Sequence, residues 1–342
     1  MKPRICMVSA HGCIRVSKIA RALISRGYEV ESLSAKKPMC WAELDSYRVA
    51  FGLWHIRELF QYSRADIFLC DGAPDTLPVW ARDAHPTRRV VFDVHDSQGL
   101  QWERYDRLEA EARQASDAIV HVSPACKDLT DALYKDNKPS IVIESRASSR
   151  DTPASLPQES DFNSIVYEGG VSTESHMEDP ATGRWLPNYK NILPSCVALD
   201  KVGYALHVLS ATDLTDEKRL EIFKAGGIHY GGLPYQSMLK ALRAHGLGWF
   251  GCETPNEKYR AALPNKLFEY ISQGVVPVVY NSPTAGEWVE SRGLGIWLDR
   301  VEDLPKRVWW DAAMIRLRIL RERTDMCMES HIDPLCELLD GL

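Results

Sequence analysis

The chain alternates short apolar runs with stretches in which apolar residues recur every three to four positions. Such runs fit buried parallel strands, and the longer period fits the helices that cross between them. In the first half the runs fall at 5–8, 30–33, 67–70, 90–94, 118–122 and 141–143. Between the first two, 16–25 places Ile19, Ala20, Leu23 and Ile24 at helical spacing and stops at Gly27, a residue suited to a left-handed C-cap. Helical periodicity also covers 49–62 and 101–115. One doubly wound α/β domain is therefore expected over 1–150.

From 144 to 164 the pattern dissolves into Ser, Pro and charge, and 151–163 is expected to connect two domains. A second series of runs, at 164–167, 205–209, 228–230, 248–250, 275–280 and 296–298, predicts another strand-helix domain over 164–307. The segment 308–342 reads as helix and is expected to pack back across both domains. Within the second series, 172–187 is rich in acids, Pro and Gly and is expected to be an extended loop.

Composition agrees with this division, because 342 residues exceed the usual size of one core. The formal charge of −6 provides no global field for nucleic acid or anionic lipid. Nine cysteines stand singly, without a C-x-x-C pair, and read as reduced thiols of a cytoplasmic protein. No window resembles a signal peptide or a membrane span, so any membrane contact is expected to be peripheral. There is no D-x-D triplet, zinc-type His/Cys spacing, Walker loop or G-x-S-x-G elbow, and neither a metal nor another cofactor is expected.

The densest chemistry lies in Leu263-Pro264-Asn265-Lys266-Leu267-Phe268-Glu269-Tyr270, continuing to Gly274 and the run 275–280. Pro264 and Asn265 stop the preceding chain and cap a helix starting at Lys266, which Gly274 ends. Free N–H groups, the helix dipole and the Lys266 charge together suit a diphosphate. Glu269 lies one turn on, where a carboxylate can accept both hydrogen bonds of a ribose diol. The same spacing equally fits a surface ion pair on an ordinary helix.

This stretch resembles the P-x-K-L-F-E-Y-x-x-x-G-x-P-V signature of glycosyltransferase family 4 and its relatives. Other segments fall in that family's order: Ile165 to Val171 with Gly169 and Gly170, Ile228 to Met238 with Gly232, Leu233 and Tyr235, Asp93-Val94-His95-Asp96, and Met7 to Gly12. The resemblance implies a GT-B fold, two Rossmann-like doubly wound domains facing across a cleft. It also implies a metal-independent transferase that moves a hexosyl or pentosyl group from a nucleoside diphosphate sugar, UDP by family frequency, to a hydroxyl. The acceptor could be a glycan, a lipid-linked glycan or a modified DNA base.

By the same resemblance Lys266, Glu269, Asn265, Leu267, Gly169, Gly170, Gly232, Leu233 and Tyr235 would bind the donor. Lys190 is the better candidate for a further phosphate cation and Arg184 the weaker. His11 and Gly12 would lie at the diphosphate. Asp96 is the candidate base for an inverting transfer and His95 the candidate donor-sugar contact for a retaining one, whereas a helix-capping Asp96 is the bland alternative. Asp93 reads as structural. The family's second glutamate is replaced by Ala261, which leaves stereochemistry open and keeps two rivals in play: a UDP-sugar 2-epimerase-like isomerase and a degenerate nucleotide-binding scaffold. Arg15, Lys18, Arg21, Arg26, Lys36, Lys37, Arg88 and Arg89 are expected on solvated helix faces, with an acceptor-facing patch as the other use.

Overall fold

A computed structural model describes residues 2–36, 43–44, 46–72, 74–156 and 161–342. Lys37, Cys40 and part of the expected connection lie outside the described residues. The chain divides into two compact units, Met1–Ser148 with Cys327–Leu342, and Ser149–Met326.

The first unit runs β1 (Ile5–Ser9), α1 (Ile14–Ser25), β2 (Val30–Ser34), β3 (Ser46–Val49), α2 (Leu53–Leu59), β4 (Ile67–Asp71), α3 (Leu77–Ala84) and β5 (Arg89–Val94). It continues through α4 (Gln98–Trp102), α5 (Arg107–Ala115), β6 (Ala118–His121), α6 (Pro124–Tyr134) and β7 (Ser140–Val142). The strands form one parallel sheet in the order β3-β2-β1-β4-β5-β6-β7. Order reverses between β1 and β4, the switch point at which open α/β sheets hold ligands beyond their strand C-termini.

Two predicted helices come out differently. The segment 49–62 begins as the end of β3, because Tyr47 and Val49 pair on an exposed edge strand whose alternation is too short to register as a run. The segment 101–115 is broken into α4 and α5: Glu103 adopts φ 51°, and the Asp106 side chain accepts from the N–H groups of Leu108 and Glu109 to start a new helix.

The second unit runs β8 (Ile165–Glu168), β9 (His176–Glu178), β10 (Trp185–Pro187), α7 (Leu193–Asp200), β11 (Leu206–Ser210), α8 (Asp216–Lys224) and β12 (Gly227–Gly232). Then come α9 (Tyr235–Leu242), β13 (Leu247–Gly251), α10 (Glu257–Ala261), α11 (Asn265–Ser272), β14 (Val276–Tyr280), α12 (Pro283–Arg292), β15 (Ile296–Leu298) and α13 (Leu304–Glu322). Its parallel sheet has the order β12-β11-β8-β13-β14-β15, with the switch point between β8 and β13.

The expected loop 172–187 is instead an antiparallel hairpin of β9 and β10. Its turn is built by Asp179, which accepts from Ala181 N–H at 3.0 Å and from the Thr182 hydroxyl at 2.7 Å. Such Asx turns leave no apolar period to read.

The expected connection also differs from a solvated linker where it is described. Asp151 is buried, with its carboxylate held by Gln236 and its carbonyl by Gln273, inside the second unit. The segment 308–342, expected as C-terminal helices, is divided between the two units. α13 belongs to the second unit, whereas α14 (Asp333–Gly341) belongs to the first, where the Tyr28 hydroxyl donates to Asp340 at 2.8 Å. No described helix is long and apolar enough to cross a membrane.

Arg15 and Lys18 are buried in α1, not solvated. Arg15 grips both oxygens of fully buried Asp93, from Nε and Nη2 at 2.8 Å each, and donates from Nη1 to Ser145. Asp93 is thus a structural counter-ion in the floor of the first sheet, and Arg15 is spent on it. Arg21, Arg26, Arg88 and Arg89 pair with Glu43, Asp333, Asp66 and Asp117, and Lys36 is exposed.

Candidate functional site

In the second unit, α11 starts from Pro264 in extended geometry and ends at Gly274, whose φ of +74° stops the helix. The helix thus includes Asn265, one residue earlier than expected, with both Asn265 and Lys266 part-exposed in its first turn. Leu267, Phe268, Tyr270 and Ile271 are buried on the other side. The Leu267 side chain is fully buried in the main core, where it anchors the helix.

The Lys266 ammonium lies 3.7 Å from the Tyr167 ring centroid and 5.8 Å from that of Phe250. Gly169, just past the end of β8, has φ +126°, and a Cβ there would stand 3.3 Å from Lys266 Nζ. The backbone conformation calls for glycine, and a Cβ there would make the lysine end give by a few tenths of an ångström. Gly170 has open space around it and accepts the Tyr167 hydroxyl on its carbonyl at 2.7 Å. The glycine turn and the α11 N-terminus, about a hundred residues apart in sequence, thus meet at the switch point.

Glu269 is buried, and the Tyr235 hydroxyl donates to its Oε1 at 2.9 Å. Burial, then the charges of Glu269 and Asp151, push the Tyr235 hydroxyl far above its ordinary pKa, so the tyrosine stays a donor. The Tyr235 hydroxyl therefore faces the carboxylate. Gly232 and Leu233 close β12 beside it, with the Leu233 N–H bonded to the Ser210 carbonyl at 2.8 Å.

Lys190 is exposed, its ammonium 5.7 Å from the Tyr189 ring centroid. Lys258 stands 5.9 Å from the same ring, and Tyr189 continues through Tyr259 to Phe250, beside Lys266. Lys258 was missed in the sequence; its signal is a lysine one turn before the substituted Ala261. Ala261 itself is buried, so α10 uses that position for packing. Arg184 sits exposed on the hairpin turn.

In the first unit the side chains after β1, β4 and β5 converge. His95 Nδ1 lies 2.8 Å from Asp71 Oδ1, and the Ser9 hydroxyl donates to Asp71 Oδ2 at 2.7 Å. His95 Nε2 lies 3.8 Å from Cys13 Sγ and 3.6 Å from Asp96 Oδ2. Burial drives the His95 pKa down, but Asp71, Cys13 and Asp96 overcome it and hold the imidazole well above its usual value. Asp96 is half-exposed and does not cap α4; Ser97 does, accepting from Leu100 N–H. Gly12 has φ +61°, and His11 is exposed with its N–H on Ser9 Oγ at 3.4 Å.

Asp71 and Cys13 were missed because residues 13, 71 and 95 meet only through sheet order. Ligand atoms of these three lie within 4.8 Å of one another, the one His/Cys/Asp/Glu group among the described residues compact enough to approach a cation. At 2.8 Å, His95 and Asp71 are within ion-pair reach when the imidazole is protonated.

Asp75, buried nearby, has its carboxyl pushed up to about 8 by burial, with Glu109, Asp106 and Asp71 adding to the rise and His95 opposing it. A carboxyl raised in the folded state stabilises the fold fully below its unfolded value, and that stability is lost as pH rises toward 8. Asp75→Asn is therefore expected to match the parent at pH 4 and to exceed it by on the order of 2 kcal/mol at pH 8 in urea unfolding. Equal pH dependence of the two proteins would refute the assignment.

No protein-family model and no curated protein sequence matches the chain, but solved structures do. An alpha-glucosyltransferase (AGT) in complex with UDP superimposes with TM-score 0.69 at 15% identity, over 98% of this chain and 99% of that one. Sucrose-phosphate synthase from Thermosynechococcus elongatus gives 0.70 at 12% identity, over 99% and 98%. Anabaena HepE in complex with UDP and glucose gives 0.70 at 14% identity, over 99% and 100%. At these identities the likeness is one of fold: the chain has the GT-B fold, an α/β architecture with two Rossmann-like domains.

Proposed function

We propose that this protein is a glycosyltransferase that takes a sugar from a UDP-sugar and passes it to a hydroxyl. The observation that carries the reading is the meeting of Gly169 with Lys266 at the switch point of the second sheet. The positive end of α11 and the lysine suit the diphosphate, with Lys190 and Lys258 adding charge. Glu269, oriented by Tyr235, accepts from the ribose. The fold's solved relatives that hold UDP or UDP-glucose support the nucleotide.

The transfer breaks the bond between the anomeric carbon and the diphosphate oxygen and forms one to the acceptor oxygen. The leaving UDP keeps the bonding electron pair, which Lys266 stabilises. In an inverting reaction Asp96 takes the acceptor proton, beside the His95 cation fixed by Asp71. In a retaining reaction the leaving diphosphate oxygen takes the acceptor proton and His95 contacts the donor sugar. The anomeric configuration of the product, read by NMR, decides between these.

A glycan is the acceptor class best suited to the charge, since −6 overall disfavours a polyphosphate. Some of the alpha-glucosyltransferase structures contain DNA, two of them with an HMU base, and such DNA is the control acceptor. Titration calorimetry should find UDP binding in the micromolar range without added metal and unaffected by EDTA. Absence of UDP binding at millimolar concentration would sink the reading; loss with EDTA would sink only metal independence. UDP-sugar incubated without acceptor should not be converted to its epimer.

A further inference from the structure

We propose that α13 docks on an anionic lipid surface through its solvent-facing side. The helix is pinned along the other side: Leu304, Ala312 and Ile319 are buried, and Arg316 donates to the Gly274 carbonyl. What it turns outward is apolar: Trp309 is 83% exposed, Trp310 69%, Met314 69% and Leu317 61%. Residues 310, 314 and 317 follow helical spacing, so they form one stripe, with Trp309 at its margin. A contiguous exposed stripe of this kind on a folded surface marks a contact.

Charge identifies the contact. Lys306 precedes the stripe and Arg318 and Arg321 follow it, all exposed. The helix carries five basic and two acidic residues, opposite in sign to the chain's −6. Its two acids are held by arginines, Asp311 by Arg307 and Glu322 by Arg321; Arg307 also pairs with Glu290 at 3.0 Å, and Glu302 and Asp303 precede the helix. Indole rings settle at the level of lipid headgroups, and cations there meet phosphate. A second copy of the chain fits less well. A two-fold pairing of this stripe brings like charges together, Lys306 against Arg318 and Arg321 when the helices run antiparallel and each against its own copy when they run parallel.

The full chain is tested by co-sedimentation with vesicles of phosphatidylcholine alone and of equal parts phosphatidylcholine and phosphatidylglycerol. Partition into the anionic vesicles, weakened by salt, is expected. Trp309→Ser with Trp310→Ser should abolish it, and Arg318→Gln or Arg321→Gln should each weaken it on the order of fivefold. Phe51→Ser with Trp54→Ser, an exposed aromatic pair on the first unit, should leave it unchanged. No partition, partition that survives the Trp309/Trp310 change, or dimerisation that this change removes would overturn the proposal. UDP affinity, measured in parallel, is unaffected by either result, so failure here is separable from failure of the transferase reading.

Discussion

Lys266→Ala should lower UDP affinity and kcat/KM by about 10²-fold while leaving the unfolding midpoint close to that of the parent. Lys266 is part-exposed at the first turn of α11, its ammonium packed on the faces of Tyr167 and Phe250. Its removal takes away a full charge at a point where the helix end supplies only a partial one. Lys266→Arg should recover little, since the wider guanidinium must fit where a single Cβ on Gly169 would already stand 3.3 Å from Nζ. Gly169→Ala tests the same approach from the other side, with the added strain of φ +126°. Calorimetry with UDP reads all three. Parental affinity in Lys266→Ala would remove the donor site from this helix, whatever reaction the protein performs.

The parts of the molecule legible in sequence are those whose signal is local. Twelve of the strands carry apolar runs that no helix period explains, and they appear within a residue or two of where the runs fall. α11 was legible because a proline, a lysine and a closing glycine stand at fixed offsets in one stretch. β3 and the β9–β10 hairpin were not, because edge and hairpin strands pair through backbone groups and keep half their side chains in water. Arg15 and Lys18 misled for the opposite reason: a charge in an amphipathic helix reads as solvated unless its buried partner is known, and Asp93 lies 78 residues from Arg15. The Asp71–His95 pair belongs to the same class, being brought together by adjacent strands β4 and β5. Lys258 and Tyr235 show the limit from another side: each lay in or near a recognisable segment, but the atom it faces is set by packing.

Asp71→Asn should reduce transfer by roughly 10²- to 10⁴-fold with UDP affinity unchanged, because Asp71 acts through His95 and not on the donor. Asp71 is almost wholly buried, with one oxygen taken by Ser9 and the other 2.8 Å from His95 Nδ1. The amide keeps the shape and removes the charge that, together with Cys13 and Asp96, holds the imidazole above its usual value against burial. In the variant His95 loses its proton at lower pH, so the limb of the kcat profile that follows this group should move to lower pH. Stability gives an independent reading. A histidine raised in the folded state stabilises fully below its unfolded value, near 6.5, and that contribution is lost as pH rises through the folded value. The destabilisation caused by Asp71→Asn should therefore be largest at and below pH 6 and shrink toward alkaline pH. A merely structural Asp71 would lower stability without shifting the kcat profile, and that outcome would remove it, and the charge assigned to His95, from the chemistry.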